Sequence, residues 1–197
     1  ILSKAEVCPD AEFSFEAHPS NTLPGHLIAL YKLGFKRISY GIQDFDLKVQ
    51  DAINRFQSFE EVETVVNQAR NVGYDSLNFD LVYGLPFQTM ESISDTIQKV
   101  LLLKPDRIAF YSYAHVPWIK PGQRKFTEKD LPLDGEKRQV YETGKSLFLE
   151  NGYEEIGMDH FSLKTDSLYS FMQQREFHLI FMGYTSNYTG LLVGLGA

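Results

Sequence analysis

Along residues 76–86, SLNFDLVYGLP, apolar and polar side chains alternate. Leu77, Phe79 and Leu81 fall on one face, Asn78, Asp80 and Val82 on the other. A period of two predicts a strand. Three more stretches carry it: EFSFEAHP (12–19), RISYGIQDF (37–45) and RIAFYSYAHVP (107–117). Elsewhere the period lengthens. In SFEEVETVVNQARNVG, Phe59, Val62, Val66 and Ala69 recur at three- and four-residue steps, which gives a helix one apolar face. Ser58 is a suitable N-cap, Glu61 completes a capping box, and Gly73 suits the left-handed position after the last turn. The same signals predict helices near 23–33, 90–103 and 135–151, with Thr22 and Thr89 as caps of the first two. The strings LGF (33–35), VGY (72–74) and NGY (151–153) mark recurrent helix-to-strand junctions.

Strands alternating with helices predict a parallel sheet of βα units, closed either as a doubly wound sheet or as a barrel. The second face of the strands favours the barrel. Ser14 and Glu16 oppose Phe13 and Phe15, while Ser39, Gly41 and Gln43 oppose Ile38, Tyr40 and Ile42. Parallel strands covered by helices on both faces are apolar on both. Here one face is small and polar, as in a barrel with a cavity. Glu16, Gln43 and Asp80 each fall near the C-terminal end of a strand, where barrel sites are built. A carboxylate such as Asp80 is costly inside an apolar core. It is expected to face a ligand-filled interior, the alternative being a carboxylate that caps a loop or pairs with an arginine.

Composition narrows the class. The 197 residues, 43% hydrophobic, suffice for one core, so residues 1–197 are expected to form a single domain. A net charge of −7 and a pI near 5.2 argue against nucleic acid or an anionic membrane as main partner. No apolar run is long enough for a membrane span and no signal peptide is visible. Cys8 is the lone cysteine, which points to a cytoplasmic setting without internal disulfides. The chain opens on Ile1 and stops in TGLLVGLGA, so an internal segment of a longer protein is expected. His18, His26, His115, His160 and His178 show no close metal-ligand spacing. Tyr111, Tyr113, His115 and His160 either line the cavity or are structural. Arg124 and Lys125 are either a local basic patch or a solvated surface pair. GLGA is too short for a phosphate-binding loop.

Several strings occur in a telling order: FEAHP, GIQDFD, Asn54–Arg55, NFDLVYGLP, YAHVP, GMDHF and GYTS. Together they resemble the oxygen-independent coproporphyrinogen III oxidases, radical S-adenosylmethionine enzymes of haem biosynthesis. GYTS departs from the family's Gly-Tyr-Thr-Thr. The resemblance implies a partial TIM-like (βα) barrel, truncated at both ends, belonging to an enzyme with a [4Fe–4S] cluster and two S-adenosylmethionine molecules. The family's Cys-x-x-x-Cys-x-x-Cys loop and Gly-Gly-Gly-Thr-Pro segment do not occur in this chain, and Cys8 matches neither. The segment is thus expected to start after the second barrel strand, to end before the C-terminal domain, and to be inactive alone.

The same resemblance implies that Glu16, Gln43, Arg55 and Asp80 contact S-adenosylmethionine, with Ala114 acting through its backbone. It also implies two propionates of coproporphyrinogen III oxidatively decarboxylated to vinyls, giving protoporphyrinogen IX, with an external electron donor and acceptor and a monomeric parent. The exposed edge of the EFSFEAHP strand is expected to make the segment self-associate. Two other readings stand beside this one. A haem-binding or haem-delivering relative would share the barrel strings but lack YAHVP and GMDHF. A catalytically silent barrel module would lack the upstream cysteine loop.

Overall fold

A computed structural model describes residues 11–174, 178–180 and 183–185; Cys8, Ser186 of GYTS and the terminal GLGA lie outside them. Four strands run parallel and adjacent in chain order: β1 (Phe13–Ala17), β2 (Phe35–Gln43), β3 (Ser76–Tyr83) and β4 (Arg107–Ser112). The crossovers contain the predicted helices α1 (Pro24–Lys32), α3 (Phe59–Val72) and α4 (Met90–Leu103), and a short α2 (Leu47–Ile53) precedes α3. After α5 (Asp134–Glu150) the chain departs from the parallel pattern. A hairpin of β5 (Tyr153–Gly157) and β6 (His160–Leu163) adds β6 antiparallel to β4, so the sheet order is β1-β2-β3-β4-β6-β5. Met158 and Asp159 turn the hairpin at φ 43° and 68°, the left-handed backbone that a two-residue hairpin favours. Among the described residues the six-stranded sheet does not close into a complete barrel. Helix α6 (Ser167–Gln174) follows, then a separate antiparallel pair, β7 (His178–Ile180) and β8 (Gly183–Thr185).

The helix ends show how far local chemistry carries. Ser58 Oγ accepts from Glu61 N at 3.1 Å while Glu61 Oε2 accepts from Ser58 N at 2.8 Å, the predicted box. Thr89 caps α4 by accepting from Ser92 N at 3.1 Å. Thr22 does not cap α1. Its hydroxyl donates to His18 O at 2.8 Å, Leu23 occupies the cap, and Pro24 at the first helical position has no N–H to satisfy. Helix α2 was not predicted, because its seven residues are too few to show a period. Its cap is Asp46, which accepts from Lys48 N at 2.9 Å and Val49 N at 3.0 Å.

The two faces of the sheet separate as the alternation predicts. Ile38, Tyr40, Ile42, Leu77, Phe79, Leu81, Ile108 and Phe110 are buried against Val62, Val66, Ala69, Ile93, Ile97 and Phe148. Gly144 lets α5 lie close: a Cβ there would stand 2.5 Å from Phe110 Cε1. On the other face, α6 is clipped beneath the sheet. Buried Arg107 and Asp166 pair at 2.7 Å, and Ser76 donates to the same carboxylate at 2.8 Å. At the open side, Phe13 and Phe15 pack on Phe35 at 5.5 and 5.8 Å and are half-buried. Among the described residues β1 pairs with β2 alone.

Candidate functional site

Cross-strand register places the polar side chains in rows. Glu16 lies opposite Ser39, Ser39 opposite Asn78, and, one row higher, Gly41 opposite Asp80 and Asp80 opposite Ala109. These side chains share the concave face of the sheet because every second residue of each strand must point there. They line a cavity of about 630 Å³ with Ser14, Arg37, Arg107, Tyr111 and His160. That volume lies within the range of small-molecule sites. The Asp80 carboxylate faces this cavity, half-buried. Oδ2 accepts from the Ser39 hydroxyl at 2.8 Å and Oδ1 from Asn78 Nδ2 at 2.7 Å. Burial pushes its pKa above the ordinary carboxylate value; the Ser39 and Asn78 hydrogen bonds oppose the shift, and Glu16 adds to it. Tyr111, pushed up to about 12 by burial and by Asp80 and Glu16, holds His160 Nε2 at 3.3 Å on the cavity wall.

The five sequence-predicted residues do not all fall on that wall. Glu16 and Asp80 line the cavity. Arg55 and Gln43 gather around Gly41, beside Asp80. Arg55 Nη2 donates to Gly41 O at 2.7 Å, and a Cβ on Gly41 would meet Arg55 Nη2 at 2.6 Å and Gln43 Nε2 at 3.0 Å. Gly41 thus makes room for both side chains. Burial lowers the pKa of the Arg55 guanidinium, while Asp80 acts in the opposite direction. Ala114 stands apart, exposed in the loop after β4, with its carbonyl accepting from Gln123 Nε2 at 3.0 Å.

Of the residues left open, Tyr111 and His160 line the cavity, whereas His115 packs on Phe126 at 5.4 Å and contacts the Tyr113 hydroxyl at 3.3 Å. Lys125 pairs with Asp51 at 3.1 Å, and Arg124 Nε donates to Pro117 O at 3.0 Å. The sequence reading missed Arg37 and Arg107 on the cavity floor. Their alternation with Ser39 and Ala109 was legible, but the helix that turns the floor into an enclosed space was not.

The donor set fits a polar nucleoside-like ligand better than a metal. Arg55 Nε is buried without a hydrogen-bond partner among the described residues, a free donor suited to a carboxylate. Carboxylates at Glu16 and Asp80 can accept from hydroxyls or an amine. No group of three His, Cys, Asp or Glu side chains able to hold a metal occurs among the described residues, so these residues offer no seat for an iron–sulfur cluster. No helix among them is long and apolar enough to cross a membrane.

A partial barrel with a polar inner face and strand-end acids is shared by many enzymes, but the sequence profile of the radical SAM superfamily matches residues 1–100. The chain belongs to that superfamily. Its relatives are more particular. Oxygen-independent coproporphyrinogen III oxidase of Helicobacter pylori is 44% identical over 187 residues, 95% of this chain and 41% of that protein. The protein of the same description from Paracoccus denitrificans is 41% identical over 197 residues, 100% of this chain and 44% of the relative. The solved structure of coproporphyrinogen III oxidase from Escherichia coli, described as a radical SAM enzyme, superposes with a TM-score of 0.87 at 40% identity, covering 90% of this chain and 41% of that one. The chain therefore spans less than half the length of these relatives.

Proposed function

We propose that residues 1–197 are the central part of an oxygen-independent coproporphyrinogen III oxidase, contributing its S-adenosylmethionine site while the cluster ligands lie elsewhere in the protein. One observation carries this reading. Glu16, Asp80 and the Arg55–Gln43 pair gather at neighbouring strand ends of a half-barrel, in a chain 40–45% identical to such oxidases over nearly its whole length. When bound, S-adenosylmethionine and a reduced [4Fe–4S] cluster supply a radical able to remove hydrogen from an unactivated carbon. The overall change is the loss of carbon dioxide, one hydrogen atom and one electron from each of two propionates. It converts coproporphyrinogen III to protoporphyrinogen IX and requires an external electron acceptor, as well as a donor for the cluster.

This chain's own residues bind and orient. Glu16 and Asp80 accept hydrogen bonds from the hydroxyl and amine groups of the cofactor, and Ser39 and Asn78 fix the Asp80 carboxylate for that task. Arg55, anchored on Gly41 O, offers its remaining donors to a carboxylate. Gln43 adds an amide that both donates and accepts.

The test is anaerobic reconstitution of the full-length protein with iron and sulfide, followed by assay for 5′-deoxyadenosine and protoporphyrinogen IX. Formation of both is expected. A loaded cluster with haem retained and no decarboxylation would instead indicate the haem-carrying relative.

A further inference from the structure

Asp44, next to the proposed cofactor contact Gln43, is 1% exposed, the most buried acid among the described residues. Every atom of its carboxylate is engaged. Oδ1 accepts from Asp46 N and from the Thr96 hydroxyl, each at 2.7 Å, and Oδ2 accepts from Gln88 Nε2 at 2.6 Å. Thr96 Oγ1 itself accepts from Phe45 N at 3.1 Å, so its hydroxyl hydrogen is available for Asp44. The Asp44 carbonyl takes Gln50 Nε2 at 2.9 Å.

The backbone explains why so many bonds converge there. Asp44 N donates to Ile42 O at 2.9 Å, which closes a three-residue turn around Gln43 at φ 66°. γ-Turns with a positive-φ centre are rare and strained. A non-glycine residue held in such a region costs about 1–3 kcal/mol and persists only where its surroundings over-determine it. The turn is what interrupts the register between Gly41 and Gln43 and brings the Gln43 side chain beside Arg55. The partner amide reaches a second strand. Gln88 Nε2 also donates to Val82 O at 3.0 Å, and Gln88 Oε1 accepts from Gly84 N at 2.6 Å, gripping the end of β3, which carries Asp80.

We propose that Asp44 and Gln88 are positioning residues, a buried carboxylate–amide pair that locks the strained Gln43 turn of β2 to the end of β3, so that Gln43 and Asp80 meet one ligand in fixed register. Neither side chain touches the ligand. The inference rests on the S-adenosylmethionine reading for the identity of that ligand. It does not rest on that reading for the coupling of the two strand ends.

The test is made in the full-length protein with S-adenosylhomocysteine as probe. Asp44→Asn leaves one acceptor oxygen where two were engaged, so its NH2 must face either Gln88 Nε2 or the Asp46 N and Thr96 donors. Its dissociation constant for the probe is expected to rise at least about tenfold, the size of one lost charge-assisted hydrogen bond. Amide-exchange protection is expected to fall together in segments 41–46 and 82–88. Gln88→Met removes the same contact from the β3 side, and the losses of affinity and protection in Asp44→Asn and Gln88→Met are expected to be far from additive in the double variant, which two independent structural defects would not show. Unchanged affinity in Asp44→Asn, loss of protection in one segment alone, or additive losses in the double variant overturns the inference. Failure of the unsubstituted protein to bind the probe overturns the ligand reading instead, and the exchange measurement still decides the coupling.

Discussion

Asp80 is held in a charge state the fold disfavours. Burial raises its pKa, the Ser39 and Asn78 bonds hold it back, Glu16 adds to the rise and His160 subtracts from it. A carboxyl with a raised folded pKa confers its full stability below the unfolded value, about 3.9, and loses it as the pH rises through the folded value. At pH 7 the ionised group therefore weighs against folding. Asp80→Asn keeps the shape and removes the charge, so the melting temperature of the free protein is expected to rise at pH 7, with the gain shrinking toward pH 3. The same variant should bind S-adenosylhomocysteine about tenfold or more weakly, since a bond to a charged acceptor contributes about 1.5–3 kcal/mol. Calorimetry across pH and titration of the probe check the two halves; a lower melting temperature at pH 7 would contradict the first. Such an exchange of stability for binding is common where a site is built from strained charge. Asp80 and Glu16 were legible because an acid on a strand's small-residue face stands out. Asp44 and Gln88 were not, because nothing local marks a carboxylate whose partner amide lies on a different crossover.

At the level of elements, capping chemistry and close packing pull on the same residues in different directions. Gly144 lies inside α5, where alanine is intrinsically favoured by about 1 kcal/mol. A Cβ there would meet Phe110 Cε1 at 2.5 Å and Ile97 Cδ1 at 3.0 Å. Overpacking of that kind costs about 1–3 kcal/mol, so packing should win. Gly144→Ala is expected to lower the melting temperature by a few degrees, at roughly 2–4 °C per kcal/mol for a chain of this size. Gly135→Ala, with nothing within 4 Å of the added carbon, should not lower it. Thermal unfolding of the two variants side by side gives the answer. The helices α3 and α4 could be read in advance, since Ser58, Glu61 and Thr89 act on their own neighbours. Thr22 failed as a cap because the turn at 19–21 places its hydroxyl on His18 O, a contact that competes with the helix end.

The molecule as a whole depends on closing the underside of an open sheet. Asp166 is subject to opposing influences: burial raises its pKa, but the hydrogen bond and charge of Arg107 outweigh it and hold the carboxyl below its ordinary value. A group of this kind gives its stability above the unfolded pKa and loses it as the pH falls through the lower folded value. Acid unfolding below about pH 4 should therefore begin at this clip. Asp166→Ala leaves Arg107 buried and unpaired, at a cost of about 3–5 kcal/mol. Hydrogen exchange is expected to show α6 released first, and an intact α6 would argue against the assignment. On the opposite flank, the outer edge of β1 has no strand beside it among the described residues. The 197-residue chain alone is expected to associate through that edge, and a monomer by light scattering at high concentration would refute this.

The sequence by itself determined the four parallel strands and the helices α1, α3, α4 and α5, which strand face is apolar, and that acids stand at strand ends. Alternation and capping are properties of a few consecutive residues, and neighbours suffice to set them. Only the tertiary structure decided that the sheet ends in an antiparallel hairpin. It alone placed Arg55 on Gly41 and left Ala114 apart, and it alone set the carboxylate beside the strained Gln43 turn against Gln88, in the loop after β3. Those outcomes depend on contacts between residues far apart in the chain, whose distances are set only when the whole sheet and its helices pack together.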